Sequence, residues 1–182
     1  MRWSTGASLP GLDAGIVGSV AEAGGCDTAV DVGGDTPESL DGDYSLCNPS
    51  ESELAVTVDG PLESIADVVA AASELRHSGF ERVAVSLGGD GAVLVGADES
   101  YHAAAPSVEV VDTVGAGDAL LAGLLAAFDN SADDSTALSQ AVAVGSFAVT
   151  EHETRVLPLR ELQSLAETVV VEPVDDARPR RE

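Results

Sequence analysis

The chain has 182 residues, 45% of them hydrophobic but only 3% aromatic, enough for a globular core built from Ala, Val, Leu and Ile. Acidic residues number 32 against 8 basic ones, every basic residue is Arg, and the net charge of -24 excludes nucleic acid and anionic membrane as partners. No apolar run approaches the ~18–20 residues of a membrane span, and Met1–Gly6 lacks the apolar stretch of a secretory signal.

Two cysteines, Cys26 and Cys47, form no disulfide framework, so a reduced, cytoplasmic protein is expected. Adaptation to concentrated salt is the favoured account of the charge, since at ~1 M salt the Debye length is about 3 Å and carboxylate repulsion is screened. An acidic protein from a GC-rich genome also explains Arg in place of Lys.

In chain order, Asp13 to Ala23 reads as a short helix and Thr28 to Val32 as a strand. Gly33-Gly34-Asp35-Thr36-Pro37 is a loop by composition, and Tyr44 to Cys47 a short strand. A helix is predicted from Pro61 to Gly79, with Leu62, Ile65, Val68, Val69, Ala72 and Leu75 at helical spacing. Arg82 to Leu87 is a strand of buried type, turned by Gly88-Gly89-Asp90-Gly91 into a second strand through Val95. His102 to Ala105 and Val108 to Val111 are further strand candidates. Two nearly all-apolar helices, Asp118 to Phe128 and Thr136 to Thr150, are expected to be buried on every side. An amphipathic helix from Pro158 to about Val169 precedes a charged tail, 173–182, expected to be disordered. Strands alternating with helices predict an α/β fold, a layered and mostly parallel sheet flanked by helices, with hairpin strands among the parallel ones.

Chemistry concentrates in Val110-Val111-Asp112-Thr113-Val114-Gly115-Ala116-Gly117-Asp118, a strand, a glycine-rich turn and a helix start. Small residues let backbone amides approach a phosphate, and the helix N-terminus adds partial positive charge. Gly115, Ala116 and Gly117 would stabilise charge on a transferred phosphoryl group. Asp118, in the first helical turn, would accept the proton of an attacking hydroxyl. A second string, Ser86-Leu87-Gly88-Gly89-Asp90-Gly91, ends a strand with a hydroxyl and a Gly-rich turn suited to a nucleotide's phosphates or ribose; a plain hairpin needs the same glycines. His77, His102 and His152 lack metal-ligand spacing and read as surface residues. Arg155 reads as a loop arginine, Asp133-Asp134 and Asp175-Asp176 as solvated acids, and Arg178, Arg180 and Arg181 as part of the tail.

These motifs resemble the ribokinase-like (PfkB) carbohydrate kinases. DTVGAGD, Asp112 to Asp118, matches that family's C-terminal signature, whose last Asp is the catalytic base. SLGGDG, Ser86 to Gly91, is similar to its ATP-contacting turn, and Ala143-Val144-Gly145-Ser146 resembles the small-residue helix behind its adenine pocket. Asn48-Pro49-Ser50-Glu51-Ser52-Glu53-Leu54 is similar to its Lys-Pro-Asn-x-x-Glu-Leu element, with Asn48 in place of Lys and Ser50 in place of Asn. Ser8-Leu9-Pro10-Gly11-Leu12 resembles a segment of its phosphofructokinase branch, and the 1-phosphofructokinase branch is the nearest likeness.

The resemblance implies ATP and Mg2+ as cofactors. Ser86, Leu87, Gly88, Gly89, Asp90, Gly91, Thr113, Gly117 and Ser146 would contact the nucleotide, and Glu53 the metal. The acceptor would be a small-molecule sugar or sugar phosphate, favouring fructose 1-phosphate. The family's first half, with its sugar-binding loops and β lid, has no counterpart here. Residues 1–172 are therefore expected to be a C-terminal, ATP-binding portion truncated at the N-terminus, with a homodimer expected of a full-length protein. A remnant that binds nucleotide without catalysis, and a ribokinase-type sugar or nucleoside kinase, stand as alternatives.

Overall fold

The computed structural model describes residues 3–7, 27–31, 44–150 and 159–175. The expected helix at Asp13 to Ala23, the Ser8 to Leu12 segment, the loop from Gly33 to Pro37, and Cys26, His152, Arg155 and the terminal arginines lie outside the described residues. The chain divides into two compact units: Met1–Val85 with Leu94–Ser100 and Val174–Glu182, and Ser86–Val93 with Tyr101–Pro173.

In the first unit four strands run parallel in chain order: β1 (Trp3–Ala7), β2 (Asp27–Asp31), β3 (Tyr44–Cys47) and β4 (Phe80–Ser86). The register aligns Thr5 with Ala29, Ala29 with Leu46, and Leu46 with Arg82. Ala29, Leu46, Val83, Ala84 and Val85 are all fully buried, which is why these strands read as continuous apolar runs rather than alternating ones. Tyr44 and Phe80 begin their strands as a tilted aromatic pair with ring centres 5.4 Å apart.

Helix α1 (Glu51–Thr57) occupies a segment for which the sequence had suggested only a metal-linked element. Its cause is local. Ser50 Oγ accepts the Glu53 N–H while the Glu53 carboxylate accepts the Ser50 N–H at 2.7 Å, a reciprocal capping box. Helix α2 (Ile65–His77) begins four residues later than predicted, because Ser64 supplies the N-cap by accepting the Asp67 N–H. Val68, Val69, Ala72 and Leu75 form its buried face, as their spacing required.

The second unit holds the Leu87 to Gly91 turn, the antiparallel pair of β6 (Ser100–Ala103) and β7 (Val171–Pro173), and three helices, α3 (Ala116–Asp129), α4 (Asp134–Ala148) and α5 (Leu159–Ala166). The remaining strand, β5 (Ala92–Val95), is buried throughout. Parallel and antiparallel pairs make a mixed sheet flanked by helices, the α/β class expected. Pro173 closes β7 and the Val174 N–H donates to the Ser100 carbonyl, so pairing extends into the start of the segment read as tail.

Two expectations for this unit fail. Val108 to Val111 is not a strand: the Val111 and Asp112 amides both donate to the Val149 carbonyl instead of to a neighbouring strand. Helix α3 is not buried on every side, since Asp118, Ala122, Ala126 and Asp129 are an exposed stripe. Alanine is apolar but adds little area to bury, so exposing it costs little. Opposite that stripe α3 packs tightly on α4: a Cβ added at Gly123 would lie 2.7 Å from the Ala141 Cα. Asp133 caps α4 by accepting the Thr136 N–H at 2.8 Å, which with the Ser135 hydroxyl holds its carboxyl below the usual range. No helix among the described residues is long and apolar enough to cross a membrane.

Candidate functional site

The second unit contains a cavity of about 520 Å3. Three pieces of backbone shape it, and each is held by a distinct local device. The first is the turn after β4. Leu87 donates its N–H to the Gly91 carbonyl at 2.8 Å around a single 3-10 turn, Gly88–Asp90. Gly91 has φ +95°, and a Cβ there would lie 1.9 Å from the Ala103 carbonyl oxygen. Only glycine fits, and its absent side chain lets the turn seat against the end of β6. His102 Nε2 lies 3.0 Å from the Asp90 carbonyl and ties the same turn to β6.

The second piece is the segment from Ala104 to Thr113. Its start is fixed by Ala104 donating to the Val170 carbonyl, its end by Val111 and Asp112 donating to Val149. Between them Pro106, Val108 and Val110 face the cavity without strand pairing. The third piece is the entry to α3. Asp112 Oδ1 accepts the Val114 N–H at 3.0 Å, and Gly115 follows in the left-handed region at φ +81°. The first bond into the helix runs from Ala119 N–H to the Gly115 carbonyl, so the Gly117 and Asp118 amides stand outside the helical ladder. These amides and the helix dipole give this end of α3 a positive field without a cationic side chain.

Behind this turn, Val142, Gly145, Ser146 and Val149 line the cavity at intervals of three and four along α4 and just past its end. Gly145 permits the approach, since a Cβ there would come 3.3 Å from the Ala116 carbonyl oxygen. The wall is mostly apolar, with the hydroxyls of Ser86, Ser107, Thr113 and Ser146 distributed around it. Such a cavity matches small organic ligands, which use a few placed polar groups for orientation.

Ser86, Gly88, Gly89, Gly91, Thr113, Ala116, Gly117 and Ser146, all expected in a site, line this one cavity. Leu87 is buried and Asp90 exposed, and neither lines it. Gly115 and Asp118 are exposed and lie off the wall, Asp118 one residue beyond the lining Gly117. In the apolar half of the wall, Val108, Leu120, Val142 and Val149 were not among the residues expected in a site, and Val110 entered only as the start of the glycine-turn motif. The spacing of Val142, Gly145, Ser146 and Val149 on one helical face was the available signal.

Glu53 belongs to the first unit, where its carboxylate also accepts the Ser50 hydroxyl at 2.6 Å. Among the described residues no three His, Cys, Asp or Glu side chains cluster as a metal cage. Asn48, 5% exposed, leaves its side-chain oxygen without a partner among the described residues. Beside it, burial, with the charges of Asp31 and Glu53, pushes the free Cys47 thiol far above its ordinary range.

Residues 28–161 match the pattern of the pfkB family carbohydrate kinase. The chain is 47% identical over 158 residues to the 1-phosphofructokinase of Haloferax volcanii, covering 86% of this chain and 52% of that protein. It is 34% identical over 128 residues to the 1-phosphofructokinase of Escherichia coli K12, covering 70% of this chain and 41% of that one. Phosphofructokinase-2 from Escherichia coli, solved with potassium, superposes with a TM-score of 0.79 at 29% identity over 91% of this chain and 55% of that one. The chain thus spans about half the length of the curated relatives it matches. Fold, motifs and likeness agree, and the chain belongs to the pfkB family of carbohydrate kinases.

Proposed function

We propose that this chain provides the nucleotide-binding and phosphoryl-transfer site of an ATP-dependent kinase acting on a sugar phosphate hydroxyl, with a fructose 1-phosphate-like acceptor. The observation that carries the reading is the convergence of the Ser86 to Gly91 turn, the Ala116-Gly117 helix entry and the Gly145-Ser146 face on one cavity. The 47% identity to a 1-phosphofructokinase supports the acceptor class.

In this reading the nucleoside lies against Val108, Val110, Val142 and Val149, and its phosphates run toward α3. Bound Mg2+ would neutralise phosphate charge, and Glu53 would be the carboxylate available to it. The amides around Gly115 to Gly117 receive the charge that grows on the phosphoryl oxygens. Asp118, exposed beside them, takes the proton from the acceptor hydroxyl as that oxygen bonds to the γ-phosphorus and the bond to ADP breaks. An exposed carboxylate on the first helical turn suits this role because the acceptor must reach it from solvent.

Calorimetry with Mg-ATP, followed by a coupled assay with fructose 1-phosphate and with ribose, tests the proposal. Asp118→Asn keeps size and hydrogen bonding but cannot accept a proton. It is expected to leave Mg-ATP affinity within about twofold and to lower kcat by ~10²–10⁴-fold. A loss below about tenfold would remove Asp118 as the base, and failure of the unaltered chain to bind Mg-ATP would remove the site.

A further inference from the structure

His102 reads from the sequence as a surface histidine, yet its side chain is engaged. Nε2 lies 3.0 Å from the carbonyl oxygen of Asp90, in the turn that follows β4. Gly88, Gly89 and Gly91 of that turn line the cavity, whereas His102 and Asp90 do not. We propose that His102 is a positioning residue for the nucleotide: its imidazole locks the Asp90–Gly91 peptide and so holds the Gly88 and Gly89 amides ready for a phosphate or ribose oxygen. The inference rests on the reading of the Ser86 to Gly91 turn as nucleotide-binding.

The turn closes through three backbone bonds. Leu87 N–H donates to the Gly91 carbonyl, Asp90 N–H to the Leu87 carbonyl and Gly91 N–H to the Gly88 carbonyl. The peptide between Asp90 and Gly91 is therefore fixed at its N–H end by the turn itself, and at its carbonyl end by His102. Because a trans peptide is planar, holding both ends sets the orientation of the whole unit. That matters at a glycine. Gly91, at φ +95°, has conformations of either φ sign open to it, so an unheld Asp90–Gly91 peptide could turn over cheaply. Among the described residues the Gly88 and Gly89 amides make no hydrogen bond, and no atom stands within 4 Å of where a Cβ would lie on either. They are the free donors of the turn, and their direction follows that of the peptides beside them.

Strand β6 is a fixed platform for this lock. It pairs with β7, placing His102 opposite Glu172 and Ala103 opposite Val171, and the Ala104 N–H extends the pairing to the Val170 carbonyl at 3.1 Å. Ala103 also presents the carbonyl oxygen that a Cβ on Gly91 would meet at 1.9 Å. Consecutive residues of β6 thus meet the same turn, one by backbone contact and the other by a side-chain hydrogen bond. Donation to the Asp90 carbonyl needs a proton on Nε2, which the Nε2–H tautomer and the imidazolium both carry. The lock is accordingly one of geometry and not of charge.

Calorimetry of the whole chain with Mg-ATP, at constant KCl, tests it with three substitutions. His102→Phe keeps a ring and removes the donor, and Mg-ATP should bind about three- to tenfold more weakly, the net worth of one hydrogen bond. His102→Gln places an amide nitrogen as many bonds from Cα as Nε2 and should restore affinity to within about twofold. His102→Asn falls short of that reach and should bind as weakly as His102→Phe. Hydrogen exchange without nucleotide gives an independent measure: the Asp90 and Gly91 amides should exchange faster in His102→Phe and recover in His102→Gln, while those of α4 stay unchanged. Mg-ATP binding by His102→Phe equal to that of the unaltered chain, or failure of His102→Gln to recover either measure, would overturn the proposal. Should the unaltered chain not bind Mg-ATP, the nucleotide reading falls and this proposal with it, whatever the exchange rates. If His102→Phe does not fold, His102→Gln against His102→Asn decides the matter.

Discussion

Replacing Gly91 by alanine places the first side-chain atom of the turn 1.9 Å from the Ala103 carbonyl oxygen and 2.7 Å from the Ala105 nitrogen. Both obstacles are backbone, so neither can swing aside as a flexible side chain would. The φ of +95° adds a second penalty, since an L-residue in left-handed territory costs about 1–2 kcal/mol. Relieving the overlap by shifting packed backbone costs a further ~1–3 kcal/mol. The sum, roughly 2–5 kcal/mol, is a large part of the ~5–15 kcal/mol that holds a domain together.

Two neighbours serve as internal controls. Gly88 has φ +58° but open space around it, so Gly88→Ala should cost only the backbone penalty, about 1–2 kcal/mol. Gly89 has neither constraint, and Gly89→Ala should fall within ~0.5 kcal/mol of the unaltered chain. Urea unfolding followed by far-UV circular dichroism, at constant KCl, measures all three. Gly91→Ala should also weaken Mg-ATP binding, because the clash moves Ala105 and Pro106, which line the cavity. If Gly91→Ala proves as stable as Gly89→Ala, the turn does not seat on β6 as described.

Gly123→Ala should lower the melting temperature: intrusion toward the Ala141 Cα at 2.7 Å costs ~1–3 kcal/mol, against about 1 kcal/mol gained in helix propensity. A stabilised variant would contradict the close packing of α3 on α4. In a Cys26→Ser background, Cys47 should react with iodoacetamide only as the chain unfolds, because burial suppresses its thiolate; rapid labelling under native conditions would refute its burial. Both melting temperature and Mg-ATP affinity should rise with KCl and level off toward molar salt, since a net charge of -24 opposes folding and nucleotide approach until it is screened. A melting temperature that is flat or falling from low to molar KCl would exclude salt adaptation.

The features written plainly in the sequence are those whose cause lies within a few residues. Tyr44 to Cys47 forms the strand its residues predict, and α3 starts at the glycine turn because Gly115 alone tolerates that conformation cheaply. The capping box of Ser50 and Glu53 is equally local, and it specifies helix α1 from two residues three positions apart. Tertiary structure decided which way each segment faces. Nothing in Val108 to Val111 distinguishes a strand from a cavity wall; the Val149 carbonyl, 38 residues beyond Val111, takes the amides that a strand partner would have used. Helix α3 is apolar almost all round, so its composition carries no periodicity, and the exposed stripe is fixed by where α4 packs. His102 and Asp90 look like unrelated residues until β6 brings the imidazole to the turn after β4. Backbone conformation is set by neighbours in sequence, whereas burial and charge proximity are set by partners that only the completed fold supplies.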